Sequence, residues 1–396
     1  MKKTVLTLLI AILTLPLAAQ TDGLTAEPLP WPRNLQVRID SLLNTPLLQT
    51  SQLGLMVYDL TADSAIYTYG HRQLLRPAST MKLLTAVTAL TNLGAEYQLK
   101  TALYHTGTIS NGTLRGDLVC VGGMDPMFDR ADMKAFVSRL RNIGIDTIRG
   151  RIVPDLSFKD SNRLGEGWCW DDDNDPLTPL LYERHDNFVA SLSTELRNNG
   201  IVLLDTTVQT LMPQRRYVTT RSHTLTDVLP QMMKESDNLY AESVFYQLAA
   251  PSDSKNPSTA KAAASRVRQM IQRAGLNPGE YRVADGSGLS LYNYVTAELL
   301  SAVLRYAYRN RSIFNQLYPT LPIAGVDGTL KNRMKNTAAE GNVHAKTGSV
   351  TAISSLAGYC TAANGHVLCF AIINQGVSRI SDGRYMQDQL CEAMCQ

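Results

Sequence analysis

Residues 76–90 constrain the fold of this chain more than any other stretch. Pro77 and Ser79 near its start, and Gly94 beyond its end, are start and stop signals for a helix. Because nearly every residue between them is apolar or small, the helix has no polar face and is expected to be buried on all sides. It nevertheless carries Lys82, whose ammonium needs a partner or a lowered pKa in such surroundings.

Ser79 lies three residues before Lys82, on the same face of that helix and one turn away. A serine hydroxyl within reach of a lysine that can be neutral is a nucleophile paired with its base. An isolated Ser-x-x-Lys is more often a helix cap followed by an exposed lysine, so the spacing alone is not evidence of catalysis. The chain contains two further examples in a polar stretch, Ser252 with Lys255 and Ser258 with Lys261.

Two other short motifs decide how the first one is interpreted. Ser236-Asp237-Asn238 and Lys346-Thr347-Gly348 follow it in that order, and each occurs once. Ser-x-x-Lys, Ser-Asp-Asn and Lys-Thr-Gly together form the active-site set of penicillin-binding proteins and class A β-lactamases. The chain therefore resembles the penicillin-recognising serine peptidases.

Longer motifs narrow this resemblance to the low-molecular-mass class C penicillin-binding proteins, which are D-Ala-D-Ala carboxypeptidases and endopeptidases. The resemblance covers essentially the whole mature chain. Family members carry a further inserted domain, but here only residues 177–186 separate the last module motif from the next predicted helix, so we expect that domain to be missing. The motifs are Gly122-Gly123-Met124-Asp125-Pro126, Gly167-Trp168-Cys169-Trp170, and residues 285–290, 324–330 and 344–349.

Length and composition are those of an ordinary globular protein. The 396 residues suffice for two domains. A content of 44% apolar and 18% charged residues excludes the disordered and fibrous classes. The formal net charge of +3 falls to +1 when Lys2 and Lys3 are removed with a leader peptide, which leaves no electrostatic footprint for nucleic acid.

Residues 1–19 have the pattern of a secretory signal peptide. Met1-Lys2-Lys3 precedes a short apolar run, and Ala18-Ala19 supplies small residues at its end. An N-terminal anchor helix is the alternative, but the run is too short to span a membrane and Pro16 interrupts it. We therefore expect an exported protein without a transmembrane anchor, periplasmic and either soluble or peripherally associated with the membrane.

An exported chain with six cysteines can form disulfides, although their pairing does not follow from sequence. Cys360 and Cys369 flank a predicted turn between adjacent strands and are the best candidate pair. Cys391 and Cys395 lie one helical turn apart, where a disulfide would distort the helix. No Cys-x-x-Cys or His-Glu-x-x-His pattern occurs, and the acidic run Asp171-Asp172-Asp173-Asn174-Asp175 lacks EF-hand spacing. We predict no metal and no cofactor, and interpret the acidic run as a solvated turn.

Hydrophobic periodicity predicts an α/β (α+β) fold with two parts. Residues 20–91 and 223–396 are expected to form an antiparallel sheet covered by helices, and residues 92–222 a smaller inserted α/β module. The resemblance implies that the first of these parts is a penicillin-binding, transpeptidase-like domain. The expected strands of the first part are residues 53–58, 64–69, 349–360 and 367–373, with a final helix at 385–394. The expected elements of the module are strands at 99–105, 116–121, 147–153 and 201–205 and helices at 130–143 and 187–199.

The resemblance implies a catalytic role for each motif residue. Ser79 attacks the carbonyl of the penultimate D-Ala, and Lys82 accepts its proton. Ser236 relays a proton to the leaving amine. Asn238 holds Lys82 and the substrate amide.

The third motif is implied to bind the end of the substrate. Lys346 and Thr347 bind the terminal carboxylate, since a free carboxylate needs a fixed cation. Gly348 lets a substrate backbone lie close to the strand. The backbone N–H groups of Ser79 and Ser349 form the oxyanion hole.

The expected substrates are peptidoglycan stem peptides ending in D-Ala-D-Ala, and β-lactams are the expected inhibitors. Whether the carboxypeptidase is also an endopeptidase stays open. A β-lactamase is one alternative, although those enzymes lack an inserted module between the first two motifs. A non-catalytic cell-wall binding protein is the other, and three intact motifs argue against it.

One substrate contact is expected from the inserted module. Asp155-Leu156-Ser157-Phe158 follows a predicted strand. Family members place an acidic residue from a similar Asp-x-Ser stretch beside the active-site cleft, which implies Asp155, with Asp160 as the fallback. Such a carboxylate suits an ammonium on the side chain of the stem peptide. An ordinary turn residue at the end of a strand is the alternative.

Overall fold

The computed structural model describes residues 29–172, 174–204, 214–250 and 256–396. The strands are β1 Gln52–Asp59, β2 Ser64–Tyr69, β3 Gln98–His105, β4 Thr108–Ser110, β5 Thr113–Arg115, β6 Leu118–Val121, β7 Thr147–Arg149, β8 Ile152–Asp155, β9 Val202–Leu203, β10 Arg216–Thr224, β11 His344–Val350, β12 Ile353–Thr361 and β13 Val367–Gln375. The helices are α1 Arg33–Leu43, α2 Leu47–Thr50, α3 Met81–Asn92, α4 Arg130–Asn142, α5 Phe188–Asn198, α6 Leu225–Lys234, α7 Asn238–Gln247, α8 Ala260–Arg273, α9 Ala297–Arg309, α10 Arg311–Leu317 and α11 Ile380–Cys395.

The largest sheet has five strands in the order β11-β12-β13-β1-β2, and all its pairs are antiparallel. Side chains alternate between its two faces, as the period of a strand requires. Leu55 and Val57 pack with α1 and α11, whereas Met56 and Tyr58 face the core that contains α3 and α6–α10. The expected antiparallel sheet between two layers of helices is therefore present.

Helix α3 lies in the middle of the helical core, as its sequence predicts. Every residue from Met81 to Leu90 is buried, including Lys82. A short 3-10 turn, Ala78–Thr80, precedes it and packs against β11 and β12. This buried, apolar helix thus lies against the edge of the sheet that contains the third motif.

Two smaller sheets, β10-β3-β6-β8 and β4-β5-β7-β9, lie between Gln98 and Thr224. The chain passes between them at Gly107, Gly116 and Gly150, which lie so close together that a Cβ on Gly150 would come within 2.0 Å of the Gly116 carbonyl oxygen. Because these two sheets contain β3 to β10, we propose that residues 92–222 form the inserted module.

Two predicted strands are wrong, because each is two strands. Residues 147–153 divide at Gly150 into β7 and β8, which belong to different sheets. Residues 349–360 divide at a tight turn, since Val350 pairs directly with Ile353 across the β11–β12 hairpin. Ala352 adopts a positive φ of 62° in that turn, a conformation that the sequence does not announce with Gly or Asn.

The proposed Cys360–Cys369 pair is also wrong. In the register of β12 and β13, Tyr359 pairs with Cys369 and Cys360 pairs with Leu368. The two cysteines therefore point to opposite faces of the sheet. All six cysteines are free.

Two further expectations concern residues that the structure describes only in part or not at all. The predicted strand at 201–205 is the two-residue β9, and Asp205 lies outside the described residues. The proposed signal peptide, residues 1–19, lies outside them as well. None of the helices in the described part of the chain combines the length and the apolar character that a membrane span requires.

Candidate active site

The turn before α3 fixes the direction of the Ser79 side chain. Ala78 has a positive φ of 47°, which is unusual for a residue with a Cβ. The Pro77 carbonyl oxygen accepts a 2.7 Å hydrogen bond from Thr80 Oγ1 and so holds the turn on one side. Gly288 packs against the other side, where a Cβ would come within 1.8 Å of the Ala78 carbonyl oxygen. The strained backbone is thus held by its neighbours.

Lys82 contacts Ser79 directly, as the spacing predicts. Its Nζ lies 2.9 Å from Ser79 Oγ, 2.8 Å from Asn238 Oδ1 and 2.9 Å from the Ser287 carbonyl oxygen. An ammonium donates to all three oxygens. A neutral amine instead accepts the Ser79 proton while it donates to the other two, so the arrangement suits both protonation states.

The surroundings of Lys82 hold its pKa within reach of neutral pH. Burial of the side chain lowers this pKa to about 8, although the nearby charges of Asp285, Glu242 and Asp237 act in the opposite direction. At pH 7, about a tenth of the molecules then carry a neutral amine at this position. Lys82 can therefore serve as a base without a histidine.

Glu242 is a second buried ionisable residue that the motifs do not indicate. Its carboxylate accepts hydrogen bonds from the backbone N–H groups of Gly286 and Ser287, at 3.0 and 2.7 Å. Helix α3 binds the carbonyl groups of the same two residues through Thr85 Oγ1 and Lys82 Nζ. Burial, together with the charge of Asp285, raises the pKa of Glu242 to about 8. A charged residue in the otherwise apolar α7 was its only signal in the sequence.

The second motif lies at the break between α6 and α7. Ser236 has a positive φ of 63°, and Asp237 caps α7 by accepting a hydrogen bond from the Tyr240 N–H. Arg184, from the inserted module, forms an ion pair with Asp237. This constrained turn places Ser236 and Asn238 beside the two lysines of the site.

Residues of the module brace the same turn. Asn238 donates from Nδ2 to Asn174 Oδ1 at 3.2 Å. Asp175 forms a 3.0 Å ion pair with Arg184, and Asp172 accepts a hydrogen bond from the Cys169 N–H. These members of the acidic run bind protein groups, while Asp173 lies outside the described residues. No feature of the sequence distinguished Arg184 or Asn174.

The third motif lies on β11, the edge strand of the large sheet. Lys346 is fully buried, and its Nζ donates to Ser236 Oγ at 2.8 Å and to the Thr347 carbonyl oxygen at 2.7 Å. Burial and the neighbouring Lys82 hold the pKa of Lys346 well below its ordinary value. Thr347 Oγ1 donates to Thr329 Oγ1 at 2.7 Å. A second Ser–Lys contact therefore lies beside the first.

In the structure Gly348 lies against the turn that contains Ser79, a neighbour that the sequence did not indicate. A Cβ at this position would lie 2.8 Å from both the Pro77 carbonyl oxygen and the Ser79 nitrogen, and 2.2 Å from Ser355 Oγ. The glycine therefore lets β11 approach the backbone of the nucleophile turn. This contact brings Ser79 close to the strand that contains Lys346.

Two of the predicted catalytic residues line one cavity of about 530 Å³. Ser79 and Ser236 contribute to it together with Thr347 and Ser349 of β11, and Arg384 of α11 also lines it. Arg384 donates to Ser349 Oγ at 3.3 Å. Five of the predicted catalytic residues are thus brought into mutual contact or into one cavity.

Asp155 lies apart from these residues. It ends β8, forms an ion pair with Arg215, and accepts a hydrogen bond from the Ser157 N–H at 3.0 Å. Burial acts to raise its pKa, but the bonds from Ser157 and Arg215 outweigh this and lower it. Asp155 lines a separate cavity of about 520 Å³ that also contains Phe158. The fallback, Asp160, forms an ion pair with Lys159 at 3.0 Å.

The Ser258–Lys261 sequence does not form a comparable site. Ser258 is buried, and its hydroxyl donates to the Tyr246 carbonyl oxygen at 2.6 Å, while Lys261 is exposed on α8. Ser252 and Lys255 lie outside the described residues. Within the described ranges, no three His, Cys, Asp or Glu side chains are grouped as ligands for a metal ion.

The sequence model of the D-Ala-D-Ala carboxypeptidase 3 (S13) family matches the chain over residues 35–181 and 181–395. The two segments meet at Leu181, within the short stretch where a third domain was expected to be missing. The D-alanyl-D-alanine carboxypeptidase DacB of Haemophilus influenzae is 28% identical, over 85% of this chain and 88% of the relative. Carboxypeptidase DacB of Mycolicibacterium smegmatis is 30% identical, over 88% of this chain and 81% of the relative.

Solved structures give the same result. The crystal structure of penicillin binding protein 4 (dacB) from Haemophilus influenzae has a TM-score of 0.79 to this chain and 25% sequence identity. The match covers 89% of this chain and 99% of the other. The structure of that protein complexed with a β-lactam has a TM-score of 0.73. These similarities confirm the predicted fold class and the resemblance drawn from the motifs.

Proposed function

The chain belongs to the D-Ala-D-Ala carboxypeptidase 3 (S13) family of peptidases, and on this premise we propose that it is a serine-type D-Ala-D-Ala carboxypeptidase acting through an acyl-enzyme on Ser79. One observation supports this most directly. Lys82 Nζ lies 2.9 Å from Ser79 Oγ inside a buried helix, with Asn238 as its other side-chain partner. A buried amine with a lowered pKa is what an unaided serine requires of its base.

In the proposed acylation, a bond forms between Ser79 Oγ and the carbonyl carbon of the penultimate D-Ala. The hydroxyl proton passes to neutral Lys82. Collapse of the tetrahedral intermediate breaks the carbon–nitrogen bond. The proton that Lys82 took from Ser79 is relayed through Ser236 to the amine of the departing D-Ala, which leaves Lys82 neutral again. The 2.8 Å contact with Lys346 connects Ser236 to the second lysine.

In the proposed deacylation, water adds to the ester carbonyl and releases Ser79 with its proton restored. The oxyanion of each step would be bound by the backbone N–H groups of Ser79 and Ser349. The close approach of β11 to the Ser79 nitrogen at Gly348 supports this assignment. Loss of one such donor costs about 3 kcal/mol of barrier. Lys346 and Thr347 would bind the terminal carboxylate of the substrate.

The proposed substrates are stem peptides of peptidoglycan ending in D-Ala-D-Ala, and the proposed inhibitors are β-lactams, whose strained amide acylates the same serine. The related structure complexed with a β-lactam supports the second statement. Because peptidoglycan lies outside the cytoplasmic membrane, we also propose that the mature protein is exported to the periplasm.

Labelling with a fluorescent penicillin, followed by a chase with unlabelled compound, tests this proposal. A stable adduct on the Ser79 peptide supports it, and Ser258 serves as the internal control because its hydroxyl is buried in a bond to Tyr246. Rapid loss of label would indicate a β-lactamase. Absence of any adduct, or label on another peptide, would overturn the assignment of Ser79.

We retain a role for Asp155 as a separate proposal. Its carboxylate would bind an ammonium on the stem peptide, and Arg215 would have to release it for that contact. Asp155→Asn should then slow hydrolysis of stem peptides that carry the amine and leave penicillin acylation nearly unchanged. Equal losses on both substrates would indicate a structural role, and no loss on either would remove Asp155 from the substrate site.

A further inference from the structure

The cavity above Ser79 has a cationic mouth that the proposed reaction does not use. Lys331, Arg333 and Arg384 line it, and none of the described residues that line it is Asp or Glu. Lys331 belongs to the loop before β11, whereas Arg384 extends from α11. The positive charges therefore come from two separate elements that meet at one opening.

These three cations are not equally compensated. Arg333 forms a 2.6 Å ion pair with Asp388 and donates to the Arg384 carbonyl oxygen at 3.2 Å, so it holds the two elements together. Over residues 29–172, 174–204, 214–250 and 256–396, neither Lys331 nor Arg384 has an acidic partner within ion-pair distance. Both side chains are exposed, and the contact of Arg384 is with Ser349 Oγ. Two uncompensated positive charges thus face the cavity.

The position of these charges relative to the reaction follows from the proposed function. The acyl part of the substrate becomes bonded to Ser79, while the departing residue carries the terminal carboxylate to Lys346 and Thr347. Thr347 and Ser349 are two residues apart on β11 and therefore share a face of the strand. Lys331 lies two residues after Thr329, which accepts a hydrogen bond from Thr347, and Arg384 contacts Ser349. The cationic mouth therefore lies beside the residues proposed to bind the terminal carboxylate of the departing residue.

We propose that Lys331 and Arg384 form an anion subsite for a second carboxylate, one carried by the departing part of the substrate. This inference rests on the proposed function. The terminal carboxylate already has Lys346 and Thr347 as partners, so two further cations exceed what a departing D-Ala requires. The cavity volume of about 530 Å³ falls in the range of sites that hold ligands larger than one amino acid.

The substrate class that fits is a peptide whose departing part is at least a diacid. Cross-linked stem peptides belong to this class, because the amine released from them belongs to a second acidic peptide. The subsite would therefore favour endopeptidase cleavage over simple removal of D-Ala. One exposed ion pair typically changes binding by about 1.4-fold to fivefold, so two of them together change it by about twofold to twenty-fivefold, and the change falls as salt rises.

Three peptides that differ only in the departing residue test the subsite: acyl-D-Ala-D-Ala, acyl-D-Ala-D-Glu and acyl-D-Ala-D-Gln. D-Glu and D-Gln have the same shape and differ by one charge. We expect kcat/KM for D-Glu to exceed that for D-Gln by about twofold to twenty-fivefold at low salt. Lys331→Gln and Arg384→Gln should each reduce this ratio, and the double variant should bring it close to one.

Arg379→Gln and Lys261→Gln are the matched controls. Arg379 is exposed near the start of α11 and paired with Asp382, and Lys261 is exposed on α8. Both should retain the wild-type ratio. A wild-type ratio near one, or a ratio that survives the double variant, would overturn the subsite while hydrolysis of D-Ala-D-Ala still supports the proposed function. Failure to hydrolyse any of the three peptides would overturn both.

Discussion

The Ser79–Lys82 pair and the Ser236–Lys346 pair have the same two functional groups in different electrostatic surroundings. The nitrogen–oxygen distances are 2.9 and 2.8 Å, and both lysine side chains are completely buried. Lys82 has the charges of Asp285, Glu242 and Asp237 near it. For Lys346, the charge that acts on its pKa is that of Lys82, and it acts in the same direction as burial.

This difference separates what the two lysines can do. Burial removes the charge of a lysine, and nearby carboxylates restore it. The balance at Lys82 gives a pKa of about 8, so the amine can take up and release a proton during a reaction near neutral pH. Lys346 lacks that compensation, and its pKa stays well below the ordinary value of a lysine until an anion arrives. A substrate carboxylate would supply the missing charge and raise the pKa of Lys346.

The largest effect is expected from Lys82→Met, which keeps the volume of the side chain and removes the amine. Loss of a general base typically costs about 10²- to 10⁴-fold, so the rate constant for acylation by penicillin should fall by that factor. Stopped-flow acylation measures it, and an unchanged melting temperature shows that the helix still packs. A decrease below about tenfold would mean that another group accepts the Ser79 proton.

The matched variant Lys346→Met should have a smaller effect on a different step. A charge-assisted hydrogen bond is worth about 1.5–3 kcal/mol, so kcat/KM for peptides with a free carboxylate should fall by about tenfold to a hundredfold. Most of the loss should be a rise in KM, because the lost partner binds the ground state as well.

A peptide whose C-terminus is an amide provides the control for Lys346. Its slow hydrolysis by the wild type should change little in Lys346→Met, since it offers no carboxylate to bind. If this variant instead loses as much penicillin acylation as Lys82→Met does, the two Ser–Lys pairs act as one proton-transfer unit. The distinction drawn between them would then be wrong.

The sequence predicts those parts of the site that depend only on local structure. The Ser79–Lys82 contact needs one turn of helix, and the apolar residues around it announce that the helix is buried. The expectation that the three motifs form one site came from the family resemblance. Their order and residue types carry that information, whereas no periodicity indicates that β11 packs against the Ser79 turn.

The wrong and the missed predictions share a physical cause, because each concerns a feature that depends on contacts between segments distant in sequence. Cys360 and Cys369 look like neighbours until the register of β12 and β13 places them on opposite faces. Gly150 ends a strand only because Gly116 lies against it. The partners of Glu242, Gly286 and Ser287, are more than forty residues away in sequence, at separations of 44 and 45.

Of these variants, Glu242→Gln has the smallest expected effect. It tests whether the carboxyl groups near Lys82 set the pKa of this lysine. The amide oxygen of Gln can still accept from the N–H groups of Gly286 and Ser287, but the negative charge that Glu242 acquires as the pH approaches about 8 is lost. That charge raises the pKa of Lys82 against burial, so its removal lowers this pKa. Asp285 and Asp237 remain as counter-charges, so the shift should be partial.

The pH profile of penicillin acylation measures this shift. Acylation requires neutral Lys82, so in the wild type its rate should rise with pH through about 8. In Glu242→Gln the upper part of the rise should occur at lower pH, because the wild-type carboxyl group acquires its charge only as the pH approaches about 8. At pH 7, where Glu242 is mostly protonated, the two profiles should differ little. Glu280→Gln, at an exposed position, should retain the wild-type profile. A lower maximal rate with an unmoved profile would mean that Glu242 only holds the turn, and Lys82 would then owe its charge to Asp285 and Asp237.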